Sequence, residues 1–280
     1  MQQKTIKNSF SLSGKGIHSG QSTSIKICPA PEDSGICFLY QGHKIPLNIN
    51  NVSGDKLATS LGEITLTEHL CAAINGLGLN NLIIECFSAE IPIIDGSSLP
   101  FVVAFEKAGI IEQPHVVRPF KLAQKITVKD GDAWLVAEPF NPASGGTPEH
   151  CIEYSNRDNL TIDFSVDFPV IGQQSFFFAG SVESFKKEIA PARTFGYEKD
   201  LEELHKNGFA KGASLENALG INEKGYMNKP RFDNEPVRHK ILDLLGDLAL
   251  LGRPLNAKIK AHKSSHRLNH QLVRRLLSND

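Results

Sequence analysis

Along the first hundred residues, short runs of alternating apolar and polar positions are separated by glycine-rich turns. "STSIKICPA" (22–30) and "SGICFLY" (34–40) carry the two-residue period of half-buried strands, and "NNLIIECF" (80–87) reads as another. Between them, "TEHLCAAINGLG" (67–78) changes to a helical period: Leu70, Ile74 and Leu77 share one face, Thr67 stands where an N-cap would, and Gly76 and Gly78 mark the end. "EIPIIDGSSLPF" (90–101) is a turn punctuated by proline and glycine, and "PFVVAFEKAGI" (100–110) returns to helix. "EQPHVVRPF" (112–120) carries two prolines and no clear period, so a domain boundary is placed there, giving units 1–114 and 115–280.

The second half opens with strands again. "TIDFSVDF" (161–168) alternates cleanly, and "QQSFFFAG" (173–180) is its hairpin partner. "SVESFKKEIA" (181–190) predicts a helix stopped by Pro191, and "DLEELHKNG" (200–208) a shorter one stopped by Gly208. "NPASGGTPEH" (141–150) reads as a mobile loop, and "RLNHQLVRRLL" (267–277) as a last helix. No repeat is visible in the residues. Strands and helices come in mixed groups rather than strict βαβ alternation, which predicts an α+β fold in two domains.

The helix of "EPVRHKILDLLGDLALLG" (235–252) changes the picture most. Val237, Ile241, Leu244, Leu245 and Leu248 gather on one face, while His239, Asp243 and Asp247 fall at i, i+4 and i+8 beside Lys240. An i, i+4 histidine–aspartate pair supports a helix by only ~0.2–0.5 kcal/mol, so its value as a surface pair is small. As metal ligands the two residues would come from one rigid turn, and a hydrolytic zinc site needs one more protein ligand and an open position. Ten histidines are available. His69 follows Glu68 at a helix start, placing a ligand beside a potential base, but on spacing alone His18 or His262 serves almost as well, and His266 is a further free imidazole.

Composition narrows the class. The chain has 280 residues, 40% apolar and 22% charged, as in a globular protein. No apolar run reaches the ~18 residues of a membrane span, and "MQQKTIKNSFSLSG" lacks the apolar core of a signal peptide. Five cysteines without a CxxC pair argue against a disulfide framework or thiolate site and for a reducing cytoplasm. A net charge of −1 excludes a generally basic nucleic-acid binder. From Leu248 to Asn279, however, there is no acid, while Arg253, Lys258, Lys260, Lys263, Arg267, Arg274 and Arg275 occur, a bias that suits phosphates.

Six segments together resemble one family. "SGKGIHSG" (13–20), "TEHLCAAINGLGLNN" (67–81), "EIPIIDGSSLPF" (90–101), "EIAPARTFGY" (188–197), "VRHKILDLLGDLALLGRP" (237–254) and "HKSSHRLN" (262–269) are similar to the motifs of UDP-3-O-acyl-N-acetylglucosamine deacetylases, in the same order and across nearly the whole chain. The resemblance implies a zinc amidase that removes acetate from a 3-O-acylated UDP-N-acetylglucosamine, the committed step of lipid A synthesis. It implies His69, His239 and Asp243 as Zn²⁺ ligands, Glu68 as general base, His266 as general acid and Asp247 as its supporting carboxylate. Thr194 and Phe195 would contact the reacting acyl group and the sugar, Lys240 and Ile17 would meet the substrate, and Lys240 with the basic segment would face the diphosphate.

The family's fold is two similar domains, each a sheet with two helices, stacked around the site, with a small insert in each. The second insert would fall at about 197–222, where Leu201, Leu204, Phe209 and Ala213 would line a tunnel for the fatty chain. Two departures stand out. Ser265 occupies the place of a usual glycine before His266, which would matter if that glycine needs a backbone conformation open only to glycine. Leu66-Thr67 replaces the more usual Thr-Val, with an effect on packing alone. A small-molecule substrate, no nucleic acid, at most peripheral membrane contact, a monomeric state and a cytoplasmic location are the matching expectations. Two rivals remain: a zinc amidohydrolase acting on another nucleotide-sugar, and a non-catalytic nucleotide- or nucleic-acid-binding protein.

Overall fold

The structure, a computed structural model, describes residues 1–54, 56–140 and 159–279. The loop expected at 141–150 lies outside the described residues.

The chain begins with β1 (Gln2–Ile6) and two antiparallel hairpins, β2 (Phe10–Lys15) with β3 (Ser22–Pro29) and β4 (Ile36–Tyr40) with β5 (His43–Pro46). A short ribbon of β6 (Val52–Gly54) and β7 (Ser60–Leu61) leads into α1 (Glu68–Leu77). β8 (Leu82–Cys86) then enters the middle of the sheet, antiparallel to β3 and parallel to β4, giving the order β2-β3-β8-β4-β5. After α2 (Leu99–Ala108), β9 (Ile110–Val116) pairs antiparallel with β1. The segment without clear periodicity at 112–120 therefore begins as strand: β9 is mostly exposed, so burial stamps no two-residue pattern on it.

The second half starts with β10 (Phe120–Lys121), then the hairpins β11 (Ile126–Asp130) with β12 (Ala133–Pro139) and β13 (Leu160–Phe168) with β14 (Gly172–Ala179). α3 (Val182–Ser184) continues as a π-turn over Phe185–Ile189, so the helix expected at 181–190 is present but wider in its second half. A small sheet follows from β15 (Phe195–Tyr197), β16 (Leu219–Asn222) and β17 (Gly225–Tyr226), with α4 (Leu201–Lys206) in the intervening chain. α5 (Glu235–Leu248), β18 (Leu255–His262) and α6 (His266–Leu277) complete the chain. β18 lies antiparallel to β12 and parallel to β13, giving β11-β12-β18-β13-β14.

The two sheets repeat one plan. Each is two hairpins parted by a central strand that follows a helix and precedes another: α1-β8-α2 in the first half, α5-β18-α6 in the second. The repeat is topological, invisible in the residues. The fold is α+β: two similar layers stacked as a sandwich, with α1 packed along α5 at the centre. Ile162, Phe164 and Val166 of β13 and Ala257, Ile259 and Ala261 of β18 are buried in the shared core.

The closeness of α1 and α5 depends on one residue. Gly246 lies so near α1 that a Cβ there would stand 2.2 Å from the Glu68 carbonyl oxygen. Any side chain would push the two helices apart. α5 is in consequence enclosed nearly all round: besides its apolar face, His239, Asp243 and Asp247 are buried.

Candidate metal centre and catalytic cleft

Glu68 and His69 open α1, and both are buried. Thr67 does not cap the helix with its side chain as expected: its hydroxyl donates to the Thr59 carbonyl at 3.0 Å, and its own backbone is already helical. The tie fastens the chain before β7 to the helix start. A Thr59 N–H in turn donates to Glu68 Oε2 at 2.9 Å.

The facing residues come from α5. His239 Nε2 lies 3.3 Å from Asp243 Oδ1, and His69 Nε2 lies 4.0 Å from the same oxygen. Ligating atoms of all three residues fall within 4.8 Å of one another, and the two imidazole rings meet edge to face at 4.9 Å. Donors at ~2.0–2.2 Å from a tetrahedral zinc ion are roughly 3.3–3.6 Å apart, so the group fits such an ion with small adjustment. Other observations agree. His239 Nδ1–H donates to the Ala192 carbonyl at 3.0 Å, which leaves the Nε2 lone pair for a ligand. Burial lowers the pKa of both imidazoles, His69 to about 3, keeping them in the neutral form that binds metals. Burial works to raise Asp243, but His239 and His266 outweigh it and hold the carboxyl ionised. His69, His239 and Asp243 can therefore hold a divalent cation.

Around this group is a cavity of about 240 Å³ lined by Ile17, His18, Leu57, Leu66, Ile93, Glu68, Thr194, Phe195, Lys240 and His266, together with the three candidate ligands. A larger cavity of about 390 Å³ beside Met1, Lys4, Glu112 and Glu183 has no comparable ligating group among the described residues. Burial raises the Glu68 carboxyl to about 8, the behaviour of a group that can accept and return a proton near neutrality. Burial alone would lower His266; the Asp247 carboxylate reverses this and raises the imidazole to about 10. Asp247 does not line the cavity. It lies behind His266, whose Nδ1–H donates to Asp247 Oδ2 at 2.8 Å and so aims Nε2 forward. Burial works to raise Asp247 too, yet His266 and its other donors lower it well below the usual carboxylate range.

The segment carrying Thr194 and Phe195 is fixed from beneath. Arg193, itself buried, makes paired bonds to Glu235 at 2.9 and 3.1 Å at the start of α5. Thr194 N–H donates to the Gly96 carbonyl at 2.7 Å, and Gly96 sits at φ +85° where a Cβ would strike the Asn217 carbonyl. The loop bearing Ile17 is held by Glu90, whose carboxylate accepts from the His18 and Ser19 amides at 2.7 and 3.0 Å. Ser265 has φ −129°, open to any residue, and its hydroxyl accepts from Leu268 N–H as the N-cap of α6. The backbone here therefore needs no glycine, and Ser265 caps the helix that carries His266.

Of the expected tunnel residues, Ala213 packs against Ile17, Leu66 and Ile93, and Phe209 meets the His18 ring edge to face at 5.4 Å. None of the four, Leu201, Leu204, Phe209 and Ala213, lines the cavity itself. In the basic segment, Lys263 pairs with Asp132 at 2.7 Å and Arg267 with Asp130.

Sequence reasoning missed three contributors. Asn269 Nδ2 donates to Asp247 Oδ2 at 2.8 Å, and His270 Nε2 lies 3.1 Å from Asp247 Oδ1. Their spacing from His266, i+3 and i+4 on one helix, was a usable signal. Thr59, bonded to Asp247 at 2.5 Å, had none.

A cavity in which a cation site, a buried carboxyl and an imidazolium converge within an α+β sandwich is the equipment of a metal-dependent amidohydrolase. Residues 3–278 match the LpxC family of UDP-3-O-acyl N-acetylglycosamine deacetylases, and the chain belongs to that family. Proteins named UDP-3-O-acyl-N-acetylglucosamine deacetylase are similar throughout. That of Leptospira biflexa serovar Patoc is 38% identical over 99% of this chain and 90% of its own length. That of Wolinella succinogenes is 38% identical over 100% and 92%, and that of Pseudomonas entomophila 38% over 99% and 91%.

Proposed function

We propose that this protein hydrolyses the acetamide of UDP-3-O-(3-hydroxyacyl)-N-acetylglucosamine, giving the free 2-amine and acetate, as the committed step of lipid A synthesis in the cytoplasm. The observation that carries the reading is the convergence of His69, His239 and Asp243 beside Glu68 and His266 on one cavity. The cation would be Zn²⁺, and those three residues would hold it. When bound there it supplies Lewis acidity, polarising the amide carbonyl and lowering the pKa of water to ~7.

The side chains do the rest. Glu68 takes the proton of the attacking water and keeps its oxygen in line with the acetyl carbon. The Thr194 hydroxyl donates to the oxygen that gains negative charge as the carbon becomes tetrahedral. His266 enters protonated and delivers its Nε2 proton to the amine nitrogen as the C–N bond breaks, while Asp247 keeps the imidazolium charged until then. Lys240 and cations of the 248–279 segment meet the diphosphate, and Phe195 contacts the sugar. Ile17, with Leu66 and Ile93, forms the start of an apolar path that Phe209 and Ala213 of the 197–222 insert extend to the acyl chain. The division into units at 114/115 and a monomeric state belong to the same reading. No helix among the described residues is long and apolar enough to cross a membrane; at most peripheral contact with one is part of the same proposal.

The test is acetate release from the acylated UDP-sugar and from UDP-N-acetylglucosamine without the acyl chain. Release that requires the acyl group supports the proposal. Equal turnover of both overturns the substrate assignment in favour of another nucleotide-sugar amidase. Binding of either, or of oligonucleotide, without acetate release overturns the enzymatic reading altogether.

A further inference from the structure

Two proton-carrying groups that line the cavity, one on α1 and one on α6, are tied to a single residue outside both helices. Thr59, in the chain just before β7, is 2% exposed. Its backbone N–H donates to Glu68 Oε2 at 2.9 Å. Its hydroxyl donates to Asp247 Oδ1 at 2.5 Å and lies 3.3 Å from His266 Nδ1 and 3.0 Å from His270 Nε2. Its carbonyl is occupied as well, accepting from the Thr67 amide at 3.1 Å and the Thr67 hydroxyl at 3.0 Å. Every polar atom of the residue is committed.

We infer that Thr59 is a positioning residue that sets the general base and the general acid in register with each other; this rests on the roles proposed above for Glu68 and His266. The geometry has a clear division of labour. With Oε2 held by the Thr59 amide, the remaining Glu68 oxygen is the one left to serve the cavity. With Oδ1 of Asp247 held by the hydroxyl, and Oδ2 by Asn269 and His266, the plane of that carboxylate is fixed, and with it the direction of the His266 ring. A glutamate and an imidazole otherwise have rotamer freedom larger than the roughly 0.5 Å tolerance of proton transfer. A β-branched side chain suits the task because its χ1 is stiff. A buried hydroxyl is costly without partners, and valine would fill the same space, so packing alone does not call for threonine here.

Two substitutions separate the hydroxyl from the fold. Thr59→Val keeps the shape and the backbone amide but removes the donor to Asp247; Thr59→Ser keeps the donor. With zinc and the acylated UDP-sugar, Thr59→Val should retain full metal content and a KM within about twofold, while kcat falls about 10–100-fold, the usual range for loss of an outer-shell partner. Thr59→Ser should recover most of kcat. In a His266→Gln background, Thr59→Val should cost less than about threefold, since the hydroxyl acts through that ring. Unchanged kcat in Thr59→Val, failure of serine to restore it, or an equal loss with and without His266 would each overturn the inference. These outcomes are distinct from failure of the proposed function, which would appear as no acetate release by the unaltered protein.

Discussion

Glu68 is the residue on which the proposed chemistry turns. It sits buried at a helix start, where a bound cation would draw its pKa down from about 8 towards neutrality. Glu68→Gln should therefore keep zinc at one ion per chain by elemental analysis while kcat falls ~10²–10⁴-fold, the usual contribution of a general base. The pH–rate curve should be bell-shaped. Its acidic limb follows loss of the ionised Glu68 as pH falls, and its alkaline limb follows loss of protonated His266 as pH rises towards about 10. Because Asp247 is what raises His266 against its burial, Asp247→Asn should bring the alkaline limb down by several pH units. The same sign applies to stability: a folded pKa raised from 6.5 to about 10 stabilises fully below pH 6.5, and that contribution is lost through the interval. Urea midpoints across pH 6–10 should show a steeper decline in the native protein than in Asp247→Asn.

At the scale of elements, the site is the meeting of α1 and α5, structurally equivalent helices in the two halves of the repeat. The contact at Gly246 makes their separation a functional quantity. Gly246→Ala should destabilise the fold by ~1–3 kcal/mol through overpacking and lower zinc content together with activity. Ile162→Val, a buried change in β13, outside the α1–α5 contact itself and costing about 0.5–1.5 kcal/mol, should leave zinc content at one ion per chain. Loss of metal in both, or in neither, would argue that helix separation does not govern the centre.

The elements were unevenly legible in the sequence. α1, α5 and β13 announced themselves because the apolar period of the face each turns to the core survives in the residues. β18 did not, although Leu255, Ala257, Ile259 and Ala261 alternate inward; its lysines drew the eye to charge and away from period. β9 is mostly exposed and shows none. The candidate ligand pair His239/Asp243 was readable as spacing within one helix. The choice of His69 was not, since partners separated by 170 residues are joined only by tertiary structure, and there the family motifs supplied what spacing could not. Thr59 was silent for a related reason: its contacts with Glu68 and Asp247 are made by a backbone amide and one hydroxyl, neither of which leaves a pattern.

For the whole molecule, the sandwich places His69 from one half and His239 and Asp243 from the other in one buried group, so metal binding there and folding should be linked. Chelation should lower the Tm, by an amount that grows with the zinc concentration from which the protein is compared, and zinc at a thousandfold excess over its Kd corresponds to ~4 kcal/mol. In His239→Ala this difference should shrink together with metal content. The most direct measurement is diffraction from zinc-loaded crystals on both sides of the zinc absorption edge. A single anomalous peak about 2.0–2.2 Å from His69 Nε2, His239 Nε2 and an Asp243 oxygen is the result predicted here. A chain that releases acetate from the acylated UDP-sugar with no peak between those three side chains, or with its metal elsewhere, would contradict it.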